Sequence, residues 1–424
     1  MSTLERPQNY YHRDTCRLCD SPDVSLVMKM APCPPVDAYL TKAEQARQQE
    51  RFPMDLYLCH ACGHAQLLDV VAPELLFGNY IYTTASSPGL VDYFRTYADS
   101  VYARLQPPPG ALCVDIGSND GTLLGFFKAR GLRVLGVDPA ERIAREATER
   151  GIETMPAFFD RNLGGRLKAT KGPAAIVTAN TVFAHSDNLA SMADGIRDLL
   201  APDGVFICDV SYILEMMRNM VFDFIYHEHL SHHAVKPLQR FFHKHGLHLF
   251  DVEQTASKGG TIRCFVQLAG GPRAEQPGVG TAIQREEEER LFDSSTYEAW
   301  GRRIAAARER LGATLDDSVA GGRRLIGYGA SASGTVLLYN FDLGKRLGAI
   351  IDDNPVRQGR FSPGDAIPIV SSDVLNEAAP TDVVVLAWRF ANMIAERNEK
   401  FLENGGRFIV PLPELRLIDG TPSS

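Results

Sequence analysis

Along this chain the apolar positions fall into two rhythms, short unbroken runs and longer helically spaced stretches, and their alternation predicts an α/β protein. Ala111-Leu-Cys-Val-Asp-Ile116 is apolar and breaks at Gly117, as a buried strand does. Thr122-Leu-Leu-Gly-Phe-Phe-Lys-Ala-Arg130 then returns to helical spacing. Further strands are predicted at Arg133–Asp138, Ala174–Asn180 and Gly204–Val210, with Ser257–Leu268 as a hairpin partner that completes the sheet. A helix is expected from about Leu90 to Leu105, and Phe241–Phe250 reads as helix end, glycine and strand start. Gln284–Leu315 is a charged helical connector whose Arg-Glu-Glu-Glu-Glu-Arg run reads as a solvated face. The rhythm resumes at Arg323-Arg-Leu-Ile-Gly-Tyr-Gly329, with later strands at Ile367–Val370, Asp382–Ala387 and Arg407–Pro411.

Composition narrows the class. A chain of 424 residues outgrows a single core, so several domains are expected. Pro107-Pro-Pro-Gly110 and the Gly- and Pro-rich Gly270–Gly280 mark breaks, and the expected units are 1–75, 76–272 and 273–424. With 45% hydrophobic and 23% charged residues and a net charge of −8, a soluble protein with no nucleic-acid partner is expected. No apolar run approaches a membrane span and Met1–Asp14 carries no signal-peptide core, so no membrane partner and a cytoplasmic location are expected, as a monomer or weak oligomer.

Chemistry enters at three places. Near the start, Cys16-Arg-Leu-Cys19 and Cys59-His-Ala-Cys62 form two Cys-x-x-Cys knuckles, a donor set matched to a closed, structural Zn²⁺ site, with His60 and His64 as nearby substitute ligands. Arg51–Leu58 reads as a strand leading into the second knuckle. Phe77–Ser87, with Tyr80 and Tyr82, is aromatic and hydroxyl-rich, suited equally to a lid over a ligand and to packing between domains.

The second place is the turn Asp115-Ile-Gly117-Ser118-Asn119-Asp-Gly121. A dinucleotide fingerprint wants glycines where Asp115, Gly117 and Asp120 stand, so only one of the three fits. A carboxylate beside this turn suits a cationic amino-acid ligand and repels a pyrophosphate. Asp138, followed by Pro139, ends the next strand, where an acid accepts ribose hydroxyls; Asn180 to His185 would form a further ligand-facing loop. The third place is Phe222-Asp-Phe-Ile-Tyr226-His227-Glu228-His229. A phenol, a carboxylate and an imidazole so close together are equipped to remove a proton from carbon next to a carbonyl. The neighbouring histidines do not spell the helical zinc-hydrolase signature. Lys258 and Arg263 would reach a phosphate from their loop. Gly327-Tyr328-Gly-Ala-Ser331-Ala332 matches G-x-G-x-x-A after a strand, and Asp352 and Asp353 end the next one, so a dinucleotide or a nucleotide-sugar diphosphate would lie on this second turn.

The pattern Asp-x-Gly-x-x-x-Gly resembles motif I of class I S-adenosylmethionine-dependent methyltransferases. Over nearly its whole length the chain is similar to the S-adenosylmethionine-dependent C-methyltransferases of deoxysugar biosynthesis. The likeness is carried by Cys16/Cys19/Cys59/Cys62, Val114–Gly121, Tyr226-His-Glu-His229, Gly327-Tyr-Gly-Ala330 and Ile351-Asp-Asp-Asn-Pro355 through Gln358-Gly359. It implies a zinc module, a class I methyltransferase (Rossmann-like) domain and a C-terminal Rossmann-like domain. The cofactors it implies are S-adenosylmethionine and structural Zn²⁺. The partner it implies is a nucleotide-linked 4-keto-6-deoxy sugar methylated at C3 through an enolate, with His229 as base and Tyr226 and Glu228 in support. Tyr80, Tyr82, His185, His227, Lys258, Arg263, Tyr328, Ser331 and Asp353 are the residues expected toward the substrate. Two positions depart from the family: many members carry lysine where Ser333 stands, and an acid often follows the Ala-Trp pair where this chain has Arg389 to Met393. A methyltransferase-reductase with a working nicotinamide site on Gly327, Gly329 and Ala332, and a non-catalytic nucleotide-sugar binder, are the rival expectations.

Overall fold

The computed structural model describes residues 9–77, 83–86, 88–255, 259–376 and 381–420. Tyr80, Tyr82 and Lys258 lie outside the described residues. Among the described residues the strands form three substantial sheets and a small two-stranded one, Tyr10–His12 with Asp69–Val71.

The middle sheet has seven strands in the order Leu247–Thr255, Thr261–Leu268, Leu200–Ser211, Ala174–Thr178, Leu112–Ile116, Arg133–Val137, Thr154–Met155. The last five run parallel, and Thr261–Leu268 is antiparallel to both of its neighbours. Leu112–Ile116 is buried at every position because helices cover both faces, so it reads as an unbroken apolar run. Its neighbours belong to units that wind in opposite directions, which makes its carboxyl end a topological switch point, the place where open α/β sheets leave a crevice.

The C-terminal sheet repeats this plan. Ile369–Val370, Ile350–Ile351, Arg324–Tyr328, Thr381–Val385 and Arg407–Val410 are parallel, and Arg416–Ile418 closes the edge antiparallel. The connector before it is two helices, Pro277–Glu288 and Ser294–Ala320, broken around Arg290, whose φ is 53°. Its acidic run is not wholly a solvated face. Glu286 is fully buried and accepts backbone N–H groups of Val235 and Lys236, satisfying the first turn of the helix Val235–Lys244.

The N-terminal sheet is antiparallel in the order Ser231–His232, Ala65–Leu67, Leu56–Cys59, Val24–Met28. Its first strand comes from the middle of the chain, two residues after His229. One continuous apolar core runs from Cys16 and Leu58 through Val114 and Phe206 to Val384 and Ile409. Polar clasps follow the same path: Tyr39 Oη donates to Ala330 O at 2.6 Å, and Trp388 Nε1 to Asp223 Oδ2 at 3.0 Å.

Candidate active site

The carboxyl ends of the middle parallel strands open into a cleft of about 580 Å³, walled on its far side by Ser331, Ser333, Arg357 and Arg389 of the C-terminal unit. One wall is the first glycine turn. Gly117 has φ 71°, and a Cβ there would lie 2.3 Å from Val182 Cγ2, so only glycine fits. Gly117 N–H donates to Val137 O at 2.7 Å, and Asn119 N–H to Asp138 Oδ2 at 2.8 Å. Gly121 and Asn119 also take positive φ, which turns the backbone back toward the helix Thr122–Ala129. From above, Thr84 N–H donates to Asn119 Oδ1 at 2.9 Å and Ala85 N–H to Asp120 Oδ2 at 2.8 Å, so this part of the hydroxyl-rich stretch covers the turn.

Asp115 sits beneath the turn, accepting from Thr178 Oγ1 at 2.6 Å; burial pushes its carboxyl up to about 7. Burial also raises Asp138, against the hydrogen bonds from Ala140 and Asn119 N–H that lower it. Asn180 accepts from Asp209 N–H at 3.3 Å, and Pro139 and Asn180 line the cleft beside it. Bare backbone and buried acids suit a ligand with cationic and hydroxyl groups.

The second wall carries the titratable cluster. Tyr226 and His229 line the cleft, their rings 4.1 Å apart, and His185 stacks on His229 at 5.1 Å with 23° between planes. His229 Nδ1 faces Phe224 O at 2.7 Å; a carbonyl only accepts, so Nδ1 carries the proton and Nε2 the lone pair. Glu228 is buried beside them, and burial together with the negative charge of Asp37 pushes its carboxyl up to about 8. It is therefore a protonated donor at neutral pH.

The third wall is cationic. Arg389 Nη1 contacts both oxygens of the buried Asp223, at 3.0 and 2.9 Å, and its Nη2 reaches Ser333 Oγ at 3.3 Å. Arg357 pairs with Asp352 at 3.3 Å. Ser331 caps the helix Ala332–Asn340, accepting from Gly334 N–H at 3.2 Å. Asp37, Asp187, Phe224, Arg357 and Arg389 also line the cleft; Phe224 lies within the stretch that ends at His229, Arg357 adjoins Gln358-Gly359 and Arg389 is the first of the positions that depart from the family, whereas nothing in the sequence marks Asp37 or Asp187.

Five expected site residues do not line the cleft. Gly121 stands at the back of its turn, where a Cβ would lie 2.8 Å from Ile152 Cγ2. His227 turns to the other side of its loop, with Nε2 on Phe52 O at 3.2 Å, and burial lowers it to about 4. Arg263 lies inside the strand Thr261–Leu268 and not in a loop; its Nε is 2.9 Å from Asp209 Oδ1 and its Nη2 the same distance from Tyr93 Oη. It therefore braces Asp209 and does not reach for a phosphate. Tyr328 Oη donates to Asp353 Oδ1 at 2.8 Å, and neither residue lines the cleft. It is Asp352 that faces the second turn, accepting Ala330 N–H at 2.8 Å.

The thiols of Cys16, Cys19, Cys59 and Cys62 lie within 4.8 Å of one another. Cys16–Cys62 and Cys19–Cys59 are each 3.6 Å apart. That is close to the roughly 3.8 Å edge of a tetrahedron with Zn–S bonds of about 2.3 Å. His60 bonds Ser25 Oγ and His64 bonds Ser231 Oγ, so neither replaces a thiolate. None of the four cysteines lines the cleft, and the set fits a structural Zn²⁺.

Family models match in chain order: a putative zinc binding domain at residues 16–77, a methyltransferase domain at 91–252 and a C-methyltransferase C-terminal domain at 256–413. The C-methyltransferase NovU of Streptomyces niveus is 34% identical over 406 residues, 96% of this chain and 97% of that protein. The chain belongs to the C-methyltransferase family. The enzyme uses S-adenosylmethionine, and the acid-lined turn of the middle sheet has the chemistry to hold it. The nocamycin O-methyltransferase of Saccharothrix syringae is 31% identical over 121 residues, 27% of this C-methyltransferase and 42% of that protein. Among solved structures, the magnesium protoporphyrin IX methyltransferase of Synechocystis PCC 6803 with bound SAH is 18% identical, with 45% of this chain and 90% of that one covered and a TM-score of 0.34. Among the described residues no helix of the enzyme is long and apolar enough to cross a membrane.

Proposed function

We propose that the enzyme methylates C3 of a nucleotide-diphospho-4-keto-6-deoxy sugar, with His229 as the base. What carries this reading is the position of the His185–His229–Tyr226 stack, in one cleft with an acid-lined turn on one side and a cation-lined turn on the other. S-adenosylmethionine supplies an electrophilic methyl group when bound. Asp115 would favour its ammonium group, Asp138 and Pro139 its ribose, and the backbone of Gly117 to Gly121 with Asn180 its remaining polar edge.

On the acceptor side, Arg357, Arg389 and the Ser331-capped helix start favour a diphosphate. His229 Nε2 takes the C3 proton, acidified by the adjacent ketone. The imidazolium that forms is held in place by the Nδ1 hydrogen bond to Phe224 O. Glu228, protonated at neutral pH, and the Tyr226 phenol are suited to donate hydrogen bonds as charge grows on the C4 oxygen.

His229→Ala tests the assignment. Methyl transfer should fall by about 10²- to 10⁴-fold, the usual worth of a positioned base, while S-adenosylhomocysteine binding is retained. With S-adenosylhomocysteine and the keto sugar in D₂O, the parent enzyme should exchange the C3 hydrogen and the variant should not. Equal exchange in both would remove His229 from the role.

A further inference from the structure

Arg17 lies between the first two zinc-site cysteines, and its guanidinium reaches away from the metal site toward the cleft. The side chain is fully buried. Nη1 donates to Leu67 O at 2.8 Å and to Leu230 O at 3.1 Å, and Nε donates to Asp187 Oδ1 at 2.9 Å. These contacts belong to three separate segments. Leu67 is in the zinc module's sheet, Leu230 directly follows His229, and Asp187 ends the loop that carries His185. Leu67 N–H also donates to Leu230 O at 3.0 Å, and Ser231–His232 pairs in register with Gln66 and Ala65.

One rigid, planar fork therefore holds the backbone beside one ring of the imidazole stack and the side chain two residues beyond the other. A guanidinium fixes both distance and angle between such partners, whereas an ammonium fixes neither. Its burial beside a knuckle that the metal stiffens gives the fork a fixed base. Arg13 offers a contrast: it touches the same loop, with Nη1 3.2 Å from Asp187 O, but its side-chain hydrogen bonds among the described residues go to Thr15 and Asp187 and not to Leu230.

We infer that Arg17 is a positioning residue that ties the zinc knuckle to both histidine loops of the active site and sets the His185–His229 stack. This rests on the assignment of His229 as base for its effect on turnover, but not for its effect on geometry. Arg17 itself never touches the reacting atoms.

The test compares Arg17→Met, Arg17→Lys and Arg13→Met in the full chain. Zinc content by metal analysis and S-adenosylhomocysteine binding by calorimetry serve as fold checks. The ring signals of His185 and His229 are read by NMR, assigned with His185→Gln and His229→Ala. Both Arg17 variants should keep zinc and S-adenosylhomocysteine, shift both ring signals, and lose about 10- to 100-fold in kcat with KM for S-adenosylmethionine changed less than threefold, the scale of an ångström's misplacement. Arg13→Met should move the rings and kcat much less. Unmoved ring signals in the Arg17 variants would overturn the inference, as would loss of zinc or S-adenosylhomocysteine binding in both, which would make Arg17 a folding residue. If His229→Ala retains turnover, the base assignment fails while the ring signals still decide the role of Arg17.

Discussion

The two glycine turns are built to one plan and differ in their surroundings, which hold ion-paired arginines at the second turn alone among the described cleft residues. In each, a glycine N–H donates at 2.7 Å to the last residue of the neighbouring strand, Gly117 to Val137 O and Gly329 to Ile351 O. In each, an acid ending that neighbour accepts a turn amide at 2.8 Å, Asp138 from Asn119 and Asp352 from Ala330. The surroundings then diverge. The first turn lies over the buried Asp115 and has no arginine among the described cleft residues beside it, while the second faces Arg357 and Arg389. A shared backbone device thus leaves ligand choice to the side chains around it. The first suits a cation, the second an anion.

The harshest way to break the comparison is to give either glycine a side chain. Gly117→Ala would set a Cβ 2.3 Å from Val182 Cγ2, and Gly329→Ala one 2.5 Å from Ala387 Cβ, both at positive φ. Left-handed strain of about 1–2 kcal/mol adds to an overpacking cost of about 1–3 kcal/mol. Calorimetry should show Gly117→Ala losing about 100-fold or more in S-adenosylhomocysteine affinity and Gly329→Ala losing comparably for the nucleotide sugar alone. Loss of both ligands in either variant would mean that the turns are not separate sites.

Charge gives the next test. Asp115→Asn should weaken S-adenosylmethionine by roughly 10- to 100-fold, the worth of a charged hydrogen bond. Because burial raises Asp115 to about 7, its attraction for a cation is lost as pH falls through 7. Affinity in the parent enzyme should therefore drop between pH 8 and pH 6, and in the asparagine variant it should not. A smaller effect is expected at the other turn. Arg389→Met should raise the KM for the acceptor by about tenfold while leaving S-adenosylhomocysteine affinity unchanged, and pairing it with Asp223→Asn separates this from the cost of an unpartnered buried carboxylate.

Smallest is the effect at Glu228. Its carboxyl is raised to about 8, so its contribution to folding is present at low pH and is lost as pH climbs toward 8. Glu228→Gln should flatten the fall in Tm over that window. An unchanged pH dependence would mean that Glu228 is not held neutral.

Much of this was legible in the chain because it is local. The strand, turn and helix around Gly117 are consecutive, and so are the knuckles and the Tyr226 to His229 quartet. What escaped was assembled from afar. Arg389 reaches the cleft only because the middle unit supplies the buried Asp223, and Asp37 arrives from the zinc module. Arg263 is expected to reach a phosphate from the loop of its hairpin, yet the strand begins at Thr261 and alternation aims the side chain at Asp209. His227 and His229 stand on one short loop and face opposite ways, which sequence spacing in an irregular segment does not decide.

The sheet that borrows Ser231–His232 from the middle of the chain bears on how the protein comes apart. Three family signatures succeed one another along the polypeptide, but the larger of two apolar clusters runs through all three and a shared sheet joins the first two. Heating should give one calorimetric transition in place of three, and a fragment spanning 91–252 alone would strip Ser231 and His232 of their strand partners and leave a strand edge open to self-association.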